Sequence, residues 1–86
     1  MTFDDVCKKH KILSLERSIL ENAFAASGTS YNRHRGSMDE EEFYAMAERL
    51  VSLGLLEKEE KVLPRGNEST TLILYRFNKR ILFEER

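Results

Sequence analysis

The stretch from Ser37 to Asn78 constrains the fold more than any other part of the chain, because its hydrophobic period changes from helical to strand-like. It begins with apolar residues at helical spacing, meets a glycine at Gly54, and continues as two strand-like runs separated by turn-forming residues. Helical spacing predicts one buried helix face, whereas β-branched and aromatic residues favour a pleated strand. The sequence therefore predicts a helix followed directly by an antiparallel ribbon.

The helix of this stretch is the third that the sequence predicts. Ser37 is its expected N-cap, since a serine hydroxyl accepts a hydrogen bond from a free backbone N–H and Glu40 can reach back. Gly54 permits a left-handed exit, with Leu55 folding back onto the helix. The inward side chains share one face: Phe43, Met46, Ala47, Leu50, Val51 and Leu53. Four acids occupy the first turns, where the helix dipole favours negative charge: Asp39, Glu40, Glu41 and Glu42.

Two runs after Gly54 predict the strands of a hairpin. The run Leu55–Leu63 has a polar middle and by itself could continue a helix, whereas Thr70–Phe77 is rich in β-branched and aromatic residues. The only proline, together with Gly66 and Asn67, lies between the runs, where a hairpin loop Pro64–Ser69 is expected.

Two further helices are predicted before Ser37. Thr2 and Asp5 form a capping box for the first, and Ser14 caps the second, which Gly28 should end. Their apolar stripes should face the core: Phe3, Val6, Cys7 and His10 in the first, and Leu15, Ile19, Leu20, Ala23 and Phe24 in the second. Residues 27–36 then form a long loop. The tail from Asn78 to Arg86 fits a short helix, a third strand or a partner-binding end, and the sequence leaves these alternatives open.

Size and charge limit the classes of protein to consider. With 86 residues and 41% apolar content, residues 1–86 should form a single domain. The net charge of -1 gives no long-range attraction to polyanions, so any nucleic-acid contact needs a local basic patch. Cys7 is the only cysteine and the N-terminus does not resemble a signal peptide, which predicts an intracellular protein, nuclear in a eukaryote and otherwise cytoplasmic. No apolar run is long enough to predict a membrane span.

No residue pattern predicts an enzyme, a cofactor or a small-molecule substrate. A structural zinc site needs four donors, and Cys7, His10 and His34 do not supply them. Glu57, Glu59 and Glu60 have lysine neighbours and nothing apolar to raise a carboxyl pKa, so they do not predict acid–base chemistry.

The densest positive cluster lies in the loop before the third helix. Arg33 and Arg35 can bind phosphate through bidentate hydrogen bonds, His34 adds a further donor, and Tyr31 can stack on a base or sugar. The alternative interpretation is a solvated loop whose arginines pair with the acids Asp39–Glu42.

The hairpin tip is the second predicted contact with nucleic acid. Arg65, Gly66 and Asn67 form the tip, and Lys58 and Lys61 lie behind it. Glycine allows close backbone approach to a groove, although Gly66 and Asn67 are also what a tight turn requires. The turn requirement does not explain Arg65.

The third helix favours a different partner. Acids in its first turns would meet phosphates with like charge, so deep insertion into a DNA groove is not expected. A basic protein could instead contact Asp39–Glu42, or a protein partner could cover the apolar tail residues Ile81, Leu82 and Phe83.

The segments Leu50–Glu57, Val62–Asn67 and Thr70–Tyr75 resemble winged-helix domains, most closely the C-terminal domain of origin-initiator ATPases of the origin recognition complex type. The resemblance implies an α+β winged helix of three helices and a two-stranded hairpin wing, with a possible short C-terminal element. It places the helix after Ser14 as the middle helix and Asp39–Leu53 as the recognition helix, and it implies Arg65 and Gly66 as wing contacts. The chain has no ATPase module, and its third helix is more acidic than a DNA reader should be.

These observations together predict a non-enzymatic module of a replication or transcription assembly. It would bind the backbone of double-stranded DNA through the loop and the wing, with weak sequence readout. The alternative is a protein-interaction module that uses the acidic turn or the apolar tail.

Overall fold

A computed structural model describes residues 2–84, except for the side chain of Glu84. The elements in chain order are α1 (Phe3–Lys9), α2 (Ser14–Ala25), a 3-10 helix (Tyr31–His34), α3 (Glu40–Ser52), β1 (Leu56–Arg65), β2 (Glu68–Phe77) and α4 (Ile81–Glu84). Helices followed by a two-stranded antiparallel hairpin confirm the α+β class. The order of these elements is compatible with a winged-helix layout.

The start of α1 is as predicted, but the start of α2 is not. Asp5 N–H donates to the Thr2 hydroxyl at 3.2 Å, and Thr2 N–H donates to the Asp5 carboxylate at 3.1 Å. In α2 the N-cap is Leu13, and Ser14 is already helical. The carboxylate of Glu16 accepts the Leu13 N–H at 3.1 Å, so a reaching acid replaces the predicted serine cap.

The start of α3 also differs from the prediction. Ser37 does not cap the helix; it lies in the turn that follows the 3-10 helix, where its N–H donates to the His34 carbonyl at 2.9 Å. Asp39 is the N-cap instead, and its carboxylate accepts the Glu42 N–H at 2.9 Å. Helix α3 therefore begins at Glu40, still with acidic residues in its first turn.

The predicted role of Gly28 is wrong and that of Gly54 is confirmed. After α2 the left-handed residue is Ser27, with φ 65°, and Gly28 lies close to the hairpin instead. A Cβ at Gly28 would lie 3.3 Å from the side chain of Leu74 and 3.4 Å from the Tyr75 carbonyl oxygen. Gly54 takes φ 79° after α3, as a glycine exit requires.

The hairpin is longer and its turn tighter than predicted. Arg65 pairs with Glu68, so the turn contains only Gly66 and Asn67, and Pro64 lies inside β1 rather than in a loop. Gly66 has φ 59° and Asn67 does not have a positive φ, which is the pattern of a type II′ turn. This turn matches the right-handed twist of the strands and allows pairing as far as the tip.

The predicted loop 27–36 contains regular structure. Thr29 forms a bridge with Tyr75, and the N–H of each residue donates to the carbonyl of the other at 2.8 Å. The chain then turns into the 3-10 helix Tyr31–His34 before α3. The bridge anchors this segment to β2, so its later residues have fixed positions beside the hairpin.

The core lies between the helices and the base of the hairpin. Its buried apolar residues are Val6, Cys7, Ile19, Leu20, Ala23, Met38, Phe43, Ala47, Leu50, Leu55, Leu56, Tyr75 and Phe77. Phe24 is partly exposed, yet its ring lies 5.3 Å from that of Phe3 and 5.1 Å from that of Phe77. Leu15, predicted to face inward, is 41% exposed, because Glu16 takes the buried position at this end of α2.

The C-terminal tail forms the short helix α4 rather than a third strand, as far as residue 84; residues 85 and 86 lie outside the described part. Ile81 and Leu82 are half-buried against the core, and Phe83 is 68% exposed. Asn78 N–H donates to the Leu55 carbonyl at 2.9 Å and fixes the approach to α4. Among residues 2–84, no helix has the length and apolar content that crossing a bilayer requires.

Candidate nucleic-acid interface

The two lysines predicted as wing contacts are paired with acids. Lys58 Nζ lies 2.9 Å from Glu48 Oε1 of α3, and Lys61 Nζ lies 3.6 Å from Glu59 Oε1 on its own strand. The hydrogen bond with Glu48 is also the main cause of a raised pKa at Lys58. These exposed pairs are weak, but they reduce the positive field behind the hairpin tip.

Three arginines have no partner that would reduce the positive field of their guanidinium groups within the described residues. Arg33, Arg35 and Arg65 are exposed, and within the described residues none of them has an ion pair or a hydrogen bond from its guanidinium group. The alternative interpretation, in which Arg33 and Arg35 pair with the acids at the start of α3, is therefore not what the described residues show. Each guanidinium has five free N–H donors in a geometry suited to phosphate.

The loop and the hairpin tip meet across a groove of about 310 Å³. Tyr31 and Asn32 of the 3-10 helix line one side, Tyr44 of α3 contributes to the lining, and Arg65 of β1 lies on the hairpin side. The remaining lining residues come from the loop and the hairpin: Ser30, Leu63, Thr70, Thr71, Leu72 and Ile73. Residues far apart in the sequence thus line one groove; Arg65 is among them, whereas Arg33 and Arg35 are not.

His34, a predicted nucleic-acid contact, is buried and cannot touch a surface ligand. The residue is only 2% exposed. Its Nε2 lies 3.0 Å from the Thr29 hydroxyl, and its ring stacks on that of Phe43 with the ring centroids 5.4 Å apart. Burial lowers the pKa of His34, and the charge of Arg33 lowers it further. The imidazole therefore holds the 3-10 helix against α3, and the prediction of a contact at this residue is wrong.

Tyr31 is half-buried and has two environments. One side of its ring packs against aromatic neighbours, with centroids 5.8 Å from Phe43 and 6.2 Å from Tyr44. The residue also lines the groove, so part of the ring remains available to a ligand. At the far end of the hairpin, Gly66 and Asn67 are exposed at the tip.

The start of α3 presents negative charge beside this groove. Asp39 is used as the helix cap, whereas Glu40, Glu41 and Glu42 are exposed, with no ion pair in the part of the chain that the structure describes. Burial raises the pKa of Tyr44, and the neighbouring Glu40 carboxylate raises it further, so Glu40 lies close enough to influence this groove residue.

Sequence reasoning missed several groove residues, above all Tyr44 and Thr71. Tyr44 follows the inward Phe43 in α3, and its position carries no signal that separates a groove residue from a surface residue. Thr71 lies in a strand that the sequence predicts, but only the pairing of Thr29 with Tyr75 shows which strand edge faces the groove.

In the described range, no three His, Cys, Asp or Glu residues lie together as metal ligands do.

Comparison with protein families, with curated proteins and with solved structures found no match to this chain. The geometry of the described residues therefore carries the functional argument.

Proposed function

We propose that this protein is a winged-helix module that binds the backbone of double-stranded DNA within a replication or transcription assembly. The order of α2, the 3-10 helix, α3 and the hairpin supports this layout. In the proposed arrangement the 3-10 helix takes the middle position, because it directly precedes α3, rather than α2 as the sequence resemblance implied. The β1–β2 hairpin is the wing.

The proposal rests on which arginines have an acidic partner and which do not. The other arginines of residues 2–84 have acidic partners; for example, Arg76 Nη2 lies 2.9 Å from Glu59 Oε2, and Arg80 Nη2 lies 3.1 Å from Glu57 Oε1. Arg33, Arg35 and Arg65, by contrast, are exposed and unpaired in residues 2–84. With a net charge of -1, the chain has no excess positive charge elsewhere to attract a polyanion.

The proposed contact is with phosphates rather than base edges. Arg33 and Arg35 bind from the loop and Arg65 binds from the wing, with Gly66 and Asn67 allowing close approach of the backbone. The exposed acids at the start of α3 repel the phosphates that flank the major groove, so α3 inserts little and sequence readout is weak.

Fluorescence anisotropy with a labelled DNA duplex tests the proposal at several salt concentrations. Three phosphate contacts should make log K fall with log salt at a slope of about -3, and Arg65→Gln should reduce that slope by about 1. Arg33→Gln/Arg35→Gln should reduce it by about 2.

Arg76→Gln is the matched control, since it removes one positive charge that is already paired with Glu59. It should leave the slope unchanged. Absent binding at low salt, or equal effects of Arg65→Gln and Arg76→Gln, would contradict the DNA proposal.

A protein partner is the second candidate, and the exposed acids favour it. Glu40, Glu41 and Glu42 form a negative turn without ion pairs in the described range, and a basic protein surface would complement it. Neutralising two of them with Glu41→Gln/Glu42→Gln should tighten DNA binding if DNA is the ligand. The same change should weaken the interaction if a basic protein is the partner.

A further inference from the structure

The edge of β2 that faces the groove has main-chain groups without a strand partner among residues 2–84. Tyr75 directs its N–H and C=O to Thr29, with both hydrogen bonds at 2.8 Å. In an antiparallel strand the N–H and C=O of one residue point to the same side, and that side alternates along the strand. Ile73, Thr71 and Ser69 therefore direct theirs away from β1, as Tyr75 does.

The pairing that Thr29 begins stops after one residue pair. The bridge between Thr29 and Tyr75 is isolated, because the chain turns into the 3-10 helix at Tyr31. Had the segment continued as a strand, its next residues would lie opposite Ile73 and Thr71. The groove of about 310 Å³ occupies that place, and both Thr71 and Ile73 line it.

The two edges of the hairpin differ in their protection against strand addition. By the same alternation, the outer edge of β1 presents Lys58, Glu60, Val62 and Pro64. Charged residues block strand addition, and Pro64 has no N–H to offer an incoming strand. The groove edge of β2 presents Ser69, Thr71 and Ile73, which are uncharged, and the last two are β-branched residues that favour strands.

We propose that the groove edge of β2 (Ser69, Thr71 and Ile73) binds an extended segment of a partner protein as an added antiparallel strand. The segment continues the pairing of Thr29 towards the hairpin tip, so its C-terminal end lies near Arg65. Arg65 lines the groove, and although it faces Glu68 in the strand register, its guanidinium has no ion pair among the described residues, so the segment carries an acidic side chain or its terminal carboxylate at that end.

This inference goes beyond the proposed DNA contact and does not depend on it. The two ligands would share Arg65, so a bound segment should weaken duplex binding. A protein that fails to bind DNA can still bind the segment, and the reverse also holds, so the two assays fail separately.

An acetylated peptide of sequence Thr-Val-Thr-Val-Thr-Asp, titrated against the whole chain and followed by NMR, tests the proposal. Saturation should slow amide hydrogen exchange at Thr71 and Ile73 at least about tenfold, because these N–H groups face the added strand. Exchange at Thr70 and Leu72 should not change, since their N–H groups already face β1. This alternation distinguishes an added strand from general protection by a ligand.

Two peptide controls test the backbone and the charge. N-methylation of alternate residues on the pairing side should abolish binding, because it removes the main-chain donors. Replacing the last residue by lysine and amidating the C-terminus removes both carboxylates, and this should weaken binding about tenfold through loss of the contact with Arg65.

Thr71→Pro should also abolish binding, since it removes an outward N–H and blocks the edge without breaking a hydrogen bond to β1. The matched variant is Val62→Pro on the outer edge of β1, which should bind normally. Should Thr71→Pro fail to fold, the N-methylated peptide and the amide pattern still decide the question.

Several outcomes would overturn the proposal: no binding at about 1 mM peptide, equal binding of the N-methylated peptide, or protection that does not alternate. Sedimentation of the protein without peptide measures its oligomeric state and can give one further contradicting result. A dimer whose Thr71 and Ile73 amides are already protected without peptide would show that a second copy of the chain occupies the edge.

Discussion

His34 connects three parts of the molecule through one side chain. Its Nε2 lies 3.0 Å from the hydroxyl of Thr29, whose main chain bridges β2, and its ring stacks on Phe43 of α3. Burial lowers the pKa of the imidazole, with the charge of Arg33 as the second cause. Protonation of His34 would therefore oppose the packing that holds the groove in shape.

We expect the free energy of unfolding to decrease as the pH falls from about 7.5 to about 5. The unfolded chain takes up a proton near its ordinary pKa of about 6.5, whereas folded His34 takes it up only at lower pH, so acid favours the unfolded state. The slope from this one group can reach about 1.4 kcal/mol per pH unit. Urea unfolding at a series of pH values measures it.

The variant His34→Gln should lose this part of the slope. Arg33→Gln should reduce it, because the Arg33 charge is the second cause of the lowered pKa. An unchanged slope in His34→Gln would show that other groups produce the pH dependence. The sequence predicted an exposed, ligand-binding histidine here because its neighbours are arginines, and only the burial of this side chain against Phe43 decided its role.

At the scale of elements, Glu16 determines how α2 begins and how it is held to α3. Its carboxylate accepts the Leu13 N–H at 3.1 Å and lies 2.7 Å from Arg49 Nη1 of α3. The carboxylate is 2% exposed, whereas the Arg49 side chain is 46% exposed. One buried acid thus acts as helix cap and as interhelical ion pair.

We expect Arg49→Ala to lower the free energy of unfolding by about 2 kcal/mol, because it leaves a buried carboxylate without its counter-ion. The loss should be below the usual range for buried pairs, since Arg49 is partly in water. Glu16→Gln/Arg49→Met should recover part of the loss by removing the unpaired charge. Urea unfolding at neutral pH measures all three proteins.

The exposed pair of Arg76 with Glu59 provides the control for Arg49→Ala. Arg76→Ala should change stability much less, because exposed ion pairs contribute little. Equal losses in the two variants would contradict the role assigned to the buried carboxylate.

The error at the start of α2 has the same origin as this ion pair. Ser14 is a good cap residue, but Glu16 is held in capping position by Arg49, which is distant in the sequence. The error at the start of α3 is local, since Asp39, two residues after Ser37, is the N-cap. The hairpin was predicted more successfully, since its period and its turn residues are local. Its tip was predicted too loose because the type II′ turn needs only Gly66 and Asn67.

At the scale of the whole molecule, the shape is elongated, with principal extents of 50 × 25 × 20 Å. The helices and the base of the hairpin share the core, while Val62 and Leu63 of β1 remain exposed towards the tip. The C-terminal helix α4 packs on the core through Ile81 and Leu82, while Phe83 is exposed. Of the three apolar tail residues, only Phe83 is thus largely available to a partner.

Leu82→Ala should lower the free energy of unfolding by about 1–2 kcal/mol, through loss of half-buried contacts with the core. Phe83→Ala should change it by less than about 0.5 kcal/mol, as expected for an exposed side chain. Thermal or urea unfolding of the two variants provides the comparison. Equal losses would mean that α4 packs through Phe83 as well.

Sedimentation of the same pair separates stability from association. If the exposed ring of Phe83 drives self-association, Phe83→Ala should abolish it while leaving the fold unchanged. A monomer before and after the change would count against the tail as a self-association surface.

The amino-acid sequence by itself determined the α+β class, helix α3 with its Gly54 exit, the hairpin and the absence of excess positive charge. Helical and strand periods, and the turn residues between two strands, depend on residues a few positions apart, so they can be read locally. Only the tertiary structure decided that His34 is buried, that Arg33, Arg35 and Arg65 have no ion pair within the described residues, and that one edge of β2 faces a groove. These features depend on pairs such as Thr29 with Tyr75 and Glu16 with Arg49, which the folded chain brings together across long sequence separations.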